Sequence, residues 1–431
     1  MEQLEKGTKI ALETCTSLTI DSYIAEGGQG QVYKVLYEDQ PRALKWYKPA
    51  ALKKRELFLK NLRENVRKGS PGPMFLWPLG VTEEVNGTFG YVMELRPKRF
   101  SGFTDFLNAR VRFANELARI RSAIHIVTGF QQLQNKGFSY QDLNDGNFFI
   151  DPTNGDVLIC DNDNVAPHGT HTGIAGKCRY MAPEVILGKE QPNMHTDRFS
   201  MSLILFLLFF MNHPLEGQRT LTPCLTPEKE RDFYGENPVF IFDPNDDSNS
   251  PHPAIHRNAP QLWKEYPPYF QEVFRKEFSK DRMTGEGRKH RQDTWQWLKQ
   301  LVRLRSDLCQ CPCQKDEFYL FEPKSCGKCN RRFTTPFQIQ TPEMTIPLHH
   351  GSEIYRCYLD GLYGDTETSL GTVEYSEAKK KWVFRNTSGE ALECTLPTGE
   401  SRILPPERTG TILPGLRLRF KGLTATFQPQ N

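Results

Sequence analysis

The chain has 431 residues, too many for one compact unit at roughly 100–200 residues per domain, so two to four domains are expected. Fifty-five Lys and Arg stand against 52 Asp and Glu, a net charge of +3, which removes bulk charge as a basis for nucleic-acid or membrane binding. Apolar residues at 38% and aromatics at 11% exclude a disordered or fibrous chain.

The first residues, MEQLEKGTKIALET, carry no basic stretch leading into an apolar one, so no secretory signal is expected. The most apolar run, Met201–Met211, is about half the ~20 residues of a membrane span and predicts a buried helix. A cytoplasmic protein with no membrane partner and with reduced thiols follows.

Residues 17–95 read as strand-rich, with short runs at Leu18–Ile24, Gln31–Tyr37, Arg42–Trp46 and Gly90–Glu94. One helical stretch, Ala51–Lys68, ends at Gly69-Ser70-Pro71. Between the first two strands, Gly27, Gly28 and Gly30 let backbone N–H groups approach an anion without side-chain clash. Lys45 follows Val32 by thirteen residues on the strand Ala43-Leu44-Lys45, where it can reach nucleotide phosphates beneath that hairpin.

From about Phe106 the pattern turns helical, over Leu107–Lys136, Thr196–Asn212, Tyr269–Phe278 and Trp295–Leu304, with a surface loop at Asn237–Pro260. Between the first two helices lies Tyr140-Gln141-Asp142-Leu143-Asn144-Asp145-Gly146-Asn147. The strands Phe148–Asp151 and Val157–Cys160 follow it and lead into Asp161-Asn162-Asp163. Asp142 can orient and deprotonate a hydroxyl, and Asn147 and Asp161 offer the hard oxygens that Mg²⁺ prefers. Phosphoryl transfer needs this set of positioning and charge-neutralising groups.

In this order the residues resemble a bacterial protein kinase of eukaryotic Ser/Thr type. The resemblance implies an α+β, bilobal fold over residues 1–304, with a β-rich N-lobe at about 17–95 and a helical C-lobe at about 96–304. It implies ATP with Mg²⁺ or Mn²⁺. Gly27, Gly28, Gly30, Val32, Ala43, Lys45, Glu94 and Arg96 would surround the nucleotide, and Met93-Glu94-Leu95-Arg96 would be the hinge beside adenine. Asp142 would be the base, and Asn147 and Asp161 the metal ligands. Met181-Ala182-Pro183-Glu184 would close the activation segment, and Asp197 would open the buried helix.

Several residues depart from that pattern. Tyr140 and Gln141 stand for His and Arg, so an activation-segment phosphate loses its usual partner. Asn144 stands for Lys, removing a positive charge near the γ-phosphate. Asn162 and Asp163 stand for Phe and Gly, which weakens a hydrophobic clasp, and Ala25 replaces the first loop glycine. The glutamate partner of Lys45 is open between Glu64 and Glu56. These departures support a second reading, a pseudokinase scaffold that binds nucleotide and recruits partners.

Five of the eleven cysteines fall between positions 309 and 329. Cys311-Pro-Cys313 and Cys326-Gly-Lys-Cys329 are two tight pairs that suit a closed, structural Zn²⁺ site, with a short strand at Glu317–Phe321 and Cys309 as an alternate ligand. This predicts a zinc-ribbon module over residues 305–336. After Pro336, runs at Glu353–Leu359, Gly371–Tyr375, Lys381–Arg385 and Leu416–Lys421 predict an all-β sandwich over residues 337–431. Its Trp382…Asn386-Thr-Ser388 run resembles forkhead-associated (FHA-like) domains. Arg356 and Ser352 are imperfect substitutes for the phosphothreonine-binding set, and His349-His350 is placed on a loop. The module order resembles kinases of the bacterial TerY-P triad, which implies a von Willebrand A protein as substrate and a PP2C-type phosphatase as partner, with no nucleic acid.

Overall fold

A computed structural model describes residues 3–51, 54–170, 176–313, 317–320, 325–341 and 344–430. Alternating apolar residues draw the N-terminal part into strands β1 (Lys9–Ala11), β2 (Ser17–Glu26), β3 (Gly30–Tyr37), β4 (Gln40–Tyr47), β5 (Gly80–Val81) and β6 (Gly90–Glu94). They form one antiparallel sheet in the order β1-β2-β3-β4-β6-β5. Leu18, Tyr33, Leu44 and Trp46 pack on one face. Ala43, Tyr47, Tyr91 and Met93 pack on the other, against Phe58 and Leu62 of helix α1 (Arg55–Lys68). The period-two alternation of β4 therefore places Lys45, between Ala43 and Tyr47, on the α1 side. Helix α1 starts later than Ala51, after a 3₁₀ turn at Pro49–Ala51, and the predicted helical residues 52 and 53 lie outside the described residues.

The helical part begins with α2 (Phe103–Leu107) and α3 (Glu116–Asn135). One helix over Leu107–Lys136 was expected, but Asn115 interrupts it by accepting the Ala118 N–H at 2.9 Å, an N-cap that starts α3. Helices α4 (Pro183–Ile186) and α5 (Met194–Phe210) follow. The second is buried throughout its apolar run, with Phe206 packed against Phe240, Trp263 and Phe274. Around it stand α6 (Pro227–Arg231), α7 (Asn258–Glu265), α8 (Pro268–Glu277), α9 (Lys280–Thr284) and α10 (Thr294–Ser306). The stretch read as a loop over Asn237–Pro260 gives way to α7 at Asn258, because Ala259 and Trp263 bury one turn apart. No helix among the described residues is long and apolar enough to cross a membrane. Five short strands, β7 (Ser101–Gly102), β8 (Phe138–Ser139), β9 (Phe148–Ile150), β10 (Val157–Ile159) and β11 (Ala166–Pro167), frame the loops between α3 and α4.

After α10, β12 (Leu308–Gln310) pairs with β13 (Phe318–Leu320); Phe321, the predicted end of that strand, lies outside the described residues. The next strands are β14 (Phe337–Gln340), β15 (Thr345–Leu348), β16 (Ser352–Tyr355), β17 (Ser369–Ser376), β18 (Lys381–Asn386), β19 (Leu392–Thr395), β20 (Ser401–Leu404), β21 (Thr409–Thr411), β22 (Arg417–Phe420) and β23 (Leu423–Pro429). They form two antiparallel sheets, β15-β14-β23-β22-β19-β20 and β16-β17-β18-β21. The run Glu353–Leu359 is not one strand. β16 stops at Tyr355 and α11 (Arg356–Asp360) takes over, braced by an Arg356–Asp360 ion pair at 3.1 Å, and its adjacent Cys357 and Tyr358 are both buried. Asn386 clamps the following turn, donating to Glu390 O at 2.7 Å and Leu404 O at 3.0 Å and accepting from Ser388 N at 3.0 Å.

These sheets share one continuous apolar core with α3, α5 and α10. Arg305 of α10 crosses the seam. Its guanidinium lies 3.5 Å from the Tyr355 ring centroid and donates to Tyr358 Oη at 3.2 Å and Glu367 Oε1 at 3.5 Å. Glu367 also accepts from Arg121 of α3 at 2.6 Å. Burial pushes the Glu367 pKa up, but His125, Arg305 and Arg121 outweigh it and hold the carboxyl down at about 2. Glu367→Ala should lower stability by about 2 kcal/mol, read as a lower denaturant midpoint at neutral pH, because it strips charged hydrogen bonds from both helices.

Candidate active site

The site begins with Lys45, which β4 points inward and which is buried. Its ammonium lies 2.9 Å from Asp163 Oδ2 and 3.3 Å from Asp161 Oδ1, and it donates to Gln29 Oε1 at 3.0 Å. Burial alone would push the lysine's pKa down, but the two aspartates hold it above the ordinary value. Asp163 is fully buried and also accepts from Tyr47 Oη at 2.5 Å.

Neither glutamate of α1 takes part. Glu64 turns outward to Arg67 at 2.7 Å and Lys68 at 3.7 Å, and Glu56 is exposed. The face of α1 toward the site carries Asn61 and Asn65 instead, whose amides donate to Val165 O at 2.7 and 2.8 Å. The open choice between Glu64 and Glu56 therefore resolves to neither, and Asp163, met in sequence only as a departure, holds Lys45. The clasp expected to weaken at Asn162 is rebuilt from hydrogen bonds: its buried amide donates to Ile159 O at 2.8 Å and Leu76 O at 3.0 Å.

Of the three loop glycines, Gly30 is required by the chain itself, since a Cβ there would sit 2.3 Å from Trp46 O. A Cβ on Gly28 would meet nothing within 4 Å, so that position leaves open space above the strands. Val32, Ala43 and Met93 belong to one apolar cluster that includes Cys160 and Leu158. The hinge side chains are committed elsewhere. Glu94 pairs with Arg42 at 2.9 Å, and Arg96 lies over the Phe149 ring at 4.4 Å and donates to Phe100 O.

The catalytic loop is suspended from the start of α5. Asp197 accepts from Tyr140 N at 2.7 Å and Gln141 N at 3.2 Å, while burial pushes its own pKa up to about 7. Gln141 has φ +69° and donates to Thr170 O at 2.7 Å, a neutral amide bond at the position read in sequence as departing from arginine. Asp142 accepts from Asn164 Nδ2 at 3.2 Å through Oδ2. Its buried Oδ1 has no hydrogen-bond partner among the described residues. Burial, reinforced by Asp161, pushes Asp142 up to about 6 against the pull of Lys177 and Lys45.

Asn147 and Asp161 are brought together through the Cys160 N–H, which donates to Asn147 O at 2.9 Å. Asp161 has φ +53° and a side chain about half exposed. Asn147 is buried, and its side-chain oxygen already accepts from Asn144 N at 2.8 Å, leaving one lone pair for a cation. Mg²⁺ fits this donor set, with Asp161 the open carboxylate and Asn147 the supporting oxygen. Glu184 is locked by Arg291 at 2.6 and 2.9 Å, which fixes the end of the activation segment.

The sequence reading missed Asp163, Gln29, Tyr47 and Asn164 as site residues. Only Asp163 carried a signal, as an acidic group two residues beyond a metal-ligand candidate.

A second site lies at the seam. The sulfurs of Cys311, Cys313, Cys326 and Cys329 all lie within 4.8 Å of one another, with Cys311 to Cys329 at 3.5 Å and Cys313 to Cys326 at 3.6 Å. Tetrahedral zinc with Zn–S of ~2.3 Å sets its sulfurs ~3.8 Å apart, so the four thiols fit that ion. Cys309 is not in the set: its thiol donates to Tyr319 O at 3.3 Å and burial pushes it up to about 12.

Residues 18–224 match the protein-family model described as Protein kinase domain. Over that span, just under half of the chain, the sequence is similar to protein kinase domains. Three solved structures of the PknI kinase domain from Mycobacterium tuberculosis are similar to it. A double mutant shows 18% identity and a TM-score of 0.40 over 50% of this chain and 81% of that one. A single mutant shows 19% and 0.39 over 50% and 81%, and a third structure shows 20% and 0.38 over 52% and 82%. No curated protein matches the chain.

Asp163→Ala should weaken ATP binding by about tenfold in a titration, since it leaves the Lys45 ammonium one partner short, whereas Glu64→Ala should change it little. Metal analysis of purified protein should find one zinc per chain, and a strong chelator should lower the melting temperature by unfolding the cysteine knuckles.

Proposed function

We propose that the chain is an ATP- and Mg²⁺-dependent protein kinase that transfers the γ-phosphate to a Ser or Thr hydroxyl. The observation that carries the reading is Asp142: a half-buried carboxylate with one oxygen positioned by Asn164 and the other without a hydrogen-bond partner among the described residues, near the Lys45–Asp161–Asp163 charge cluster. In this reading Lys45 holds the phosphates, Asp142 orients the nucleophile and takes its proton, and Asp161 with Asn147 holds the metal. The pseudokinase alternative is favoured by one feature, the engagement of the Asn147 oxygen by Asn144.

Three modules are proposed: the kinase over residues 1–304, a zinc ribbon over 305–336, and an FHA-like sandwich over 337–431. The paired β12 and β13, the four-thiol cluster and the two antiparallel sheets support them. Within the last module, Ser352 is buried and accepts from His349 N at 2.8 Å, and Arg356 is paired with Asp360. His349-His350 sits in a turn as expected, yet His349 is buried. These engagements favour protein docking without a phosphate. The module order supports a cytoplasmic bacterial signalling role with a von Willebrand A protein as substrate and a PP2C-type phosphatase as partner.

The test is phosphate transfer from labelled ATP with Mg²⁺ or Mn²⁺, to the chain itself and to a model protein substrate. Asp142 works as a base only when deprotonated, so transfer should rise as pH increases through about 6 and be lost below it. Asp142→Asn should abolish transfer and leave nucleotide binding nearly intact. Persistent transfer in that variant overturns the assignment of the base, and nucleotide binding without transfer by the unaltered chain favours the scaffold.

A further inference from the structure

The catalytic loop lacks a cation of its own. Asn144 occupies the position two residues past Asp142 and three before Asn147, and its side chain closes the local turn by accepting from Gly146 N at 3.1 Å. Lys45 cannot serve in its place, because it is buried and already shared between Asp161 and Asp163. Charge accumulating on a transferred phosphoryl group needs a donor on the side where Asp142 stands.

The activation segment supplies one. Lys177 donates from Nζ to Asn144 Oδ1 at 2.9 Å, which brings its ammonium onto the catalytic loop from thirty-three residues downstream. The backbone beside it is pressed onto the same place: a Cβ on Gly176 would stand 3.3 Å from Asp142 Oδ1, and one on Gly146 would stand 4.0 Å from Lys177 Nζ. Its position is fixed from the C-terminal side as well. Tyr180 N donates to Lys177 O at 2.9 Å, Tyr180 Oη donates to Asp145 Oδ1 at 2.8 Å, and Ser200 Oγ donates to Tyr180 O at 2.7 Å. An ammonium has three N–H groups, and Asn144 accepts one of them. Among the causes acting on Asp142, Lys177 is the foremost that lowers its pKa, which agrees with its closeness to the base.

We propose that the Lys177 ammonium is the γ-phosphate-binding cation that the catalytic loop lacks at Asn144. The assignment rests on ATP being the bound nucleotide. It makes the Asn144 side chain a bracket for the relocated charge, and it completes the phosphate site only when residues 176–180 are docked on the loop.

The experiment compares ATP and ADP binding, each with Mg²⁺, to the full chain and to Lys177→Ala. Loss of a γ-phosphate contact should weaken ATP by about tenfold and leave ADP unchanged, and transfer should fall by about a hundredfold. Normal ADP binding also shows that the variant is folded. Adding Asn144→Lys to Lys177→Ala returns an ammonium to the loop and should restore the preference for ATP. Equal loss for both nucleotides, no loss for either, or a double variant that binds ADP normally but stays weak for ATP overturns the proposal. A chain that distinguishes ATP from ADP through Lys177 yet transfers no phosphate removes the transfer reading and leaves this one. Transfer that survives Lys177→Ala at full rate does the reverse.

Discussion

The buried pairing of Lys45 with Asp163 is the interaction on which the site depends. It joins the sheet to the loop after β10, two pieces of chain 118 residues apart, and it places Asp161 beside the lysine as a consequence. A charge buried this deeply is tolerated only when it is met by another, and breaking such a pair by removing one partner typically costs roughly 3–5 kcal/mol. Asp163 is met twice, by an ammonium and by the Tyr47 hydroxyl, both projected from β4 on alternate positions of one face. Asp163 thus orients Lys45 from the far side of the site and sets Asp161 beside it.

Polar anchoring of this kind recurs around the site. Gln141, Asn144, Asn147, Asn162 and Asn164 all bind backbone or side-chain partners through carboxamides. A carboxamide is directional and carries no net charge, so these side chains hold geometry without adding a charge of their own to the site. Farther away, the same logic is inverted at the seam with the C-terminal sheets, where Arg305, Arg121 and Glu367 concentrate charge between two helices and a loop. The β-sheets after residue 336 are built into the helical core through that seam and through a shared apolar cluster.

Much of this was legible in the sequence where the chemistry dictates residue type. The strand Gly90–Glu94 falls as read, α5 is the buried helix announced by Met201–Met211, and the four knuckle cysteines converge. Lys45, Asp142 and Asp161 were singled out because few residue types suit such work at those spacings, and the structure brings Lys45 and Asp161 within 3.3 Å. Glu64 misled because spacing along a helix does not set its rotation about the axis, and α1 turns Asn61 and Asn65 to the site instead. Asp163 and Lys177 act through partners far away in the chain, and no local pattern reports such pairings. The Asn115 cap and the change from strand to helix at Arg356 were missed because a continuous apolar rhythm hides a change in its own period.

The place of Asp163 bears on how small molecules would inhibit this protein. Where a lysine's partner sits on a mobile helix, a compound that wedges the helix outward disables the site while leaving the metal-binding loop alone. Here the partner belongs to the same short turn as Asp161, Asn162–Asn164, and α1 reaches it through the amides of Asn61, which donates to Asp163 O at 3.5 Å, and Asn65, which donates to Asn162 O at 3.4 Å. A wedge behind α1 would leave the lysine paired, whereas a compound that turns over this one loop would remove Asp161 and Asp163 from the lysine together. A small molecule that acts on this chain through the Lys45 pairing is therefore to be sought at residues 161–165.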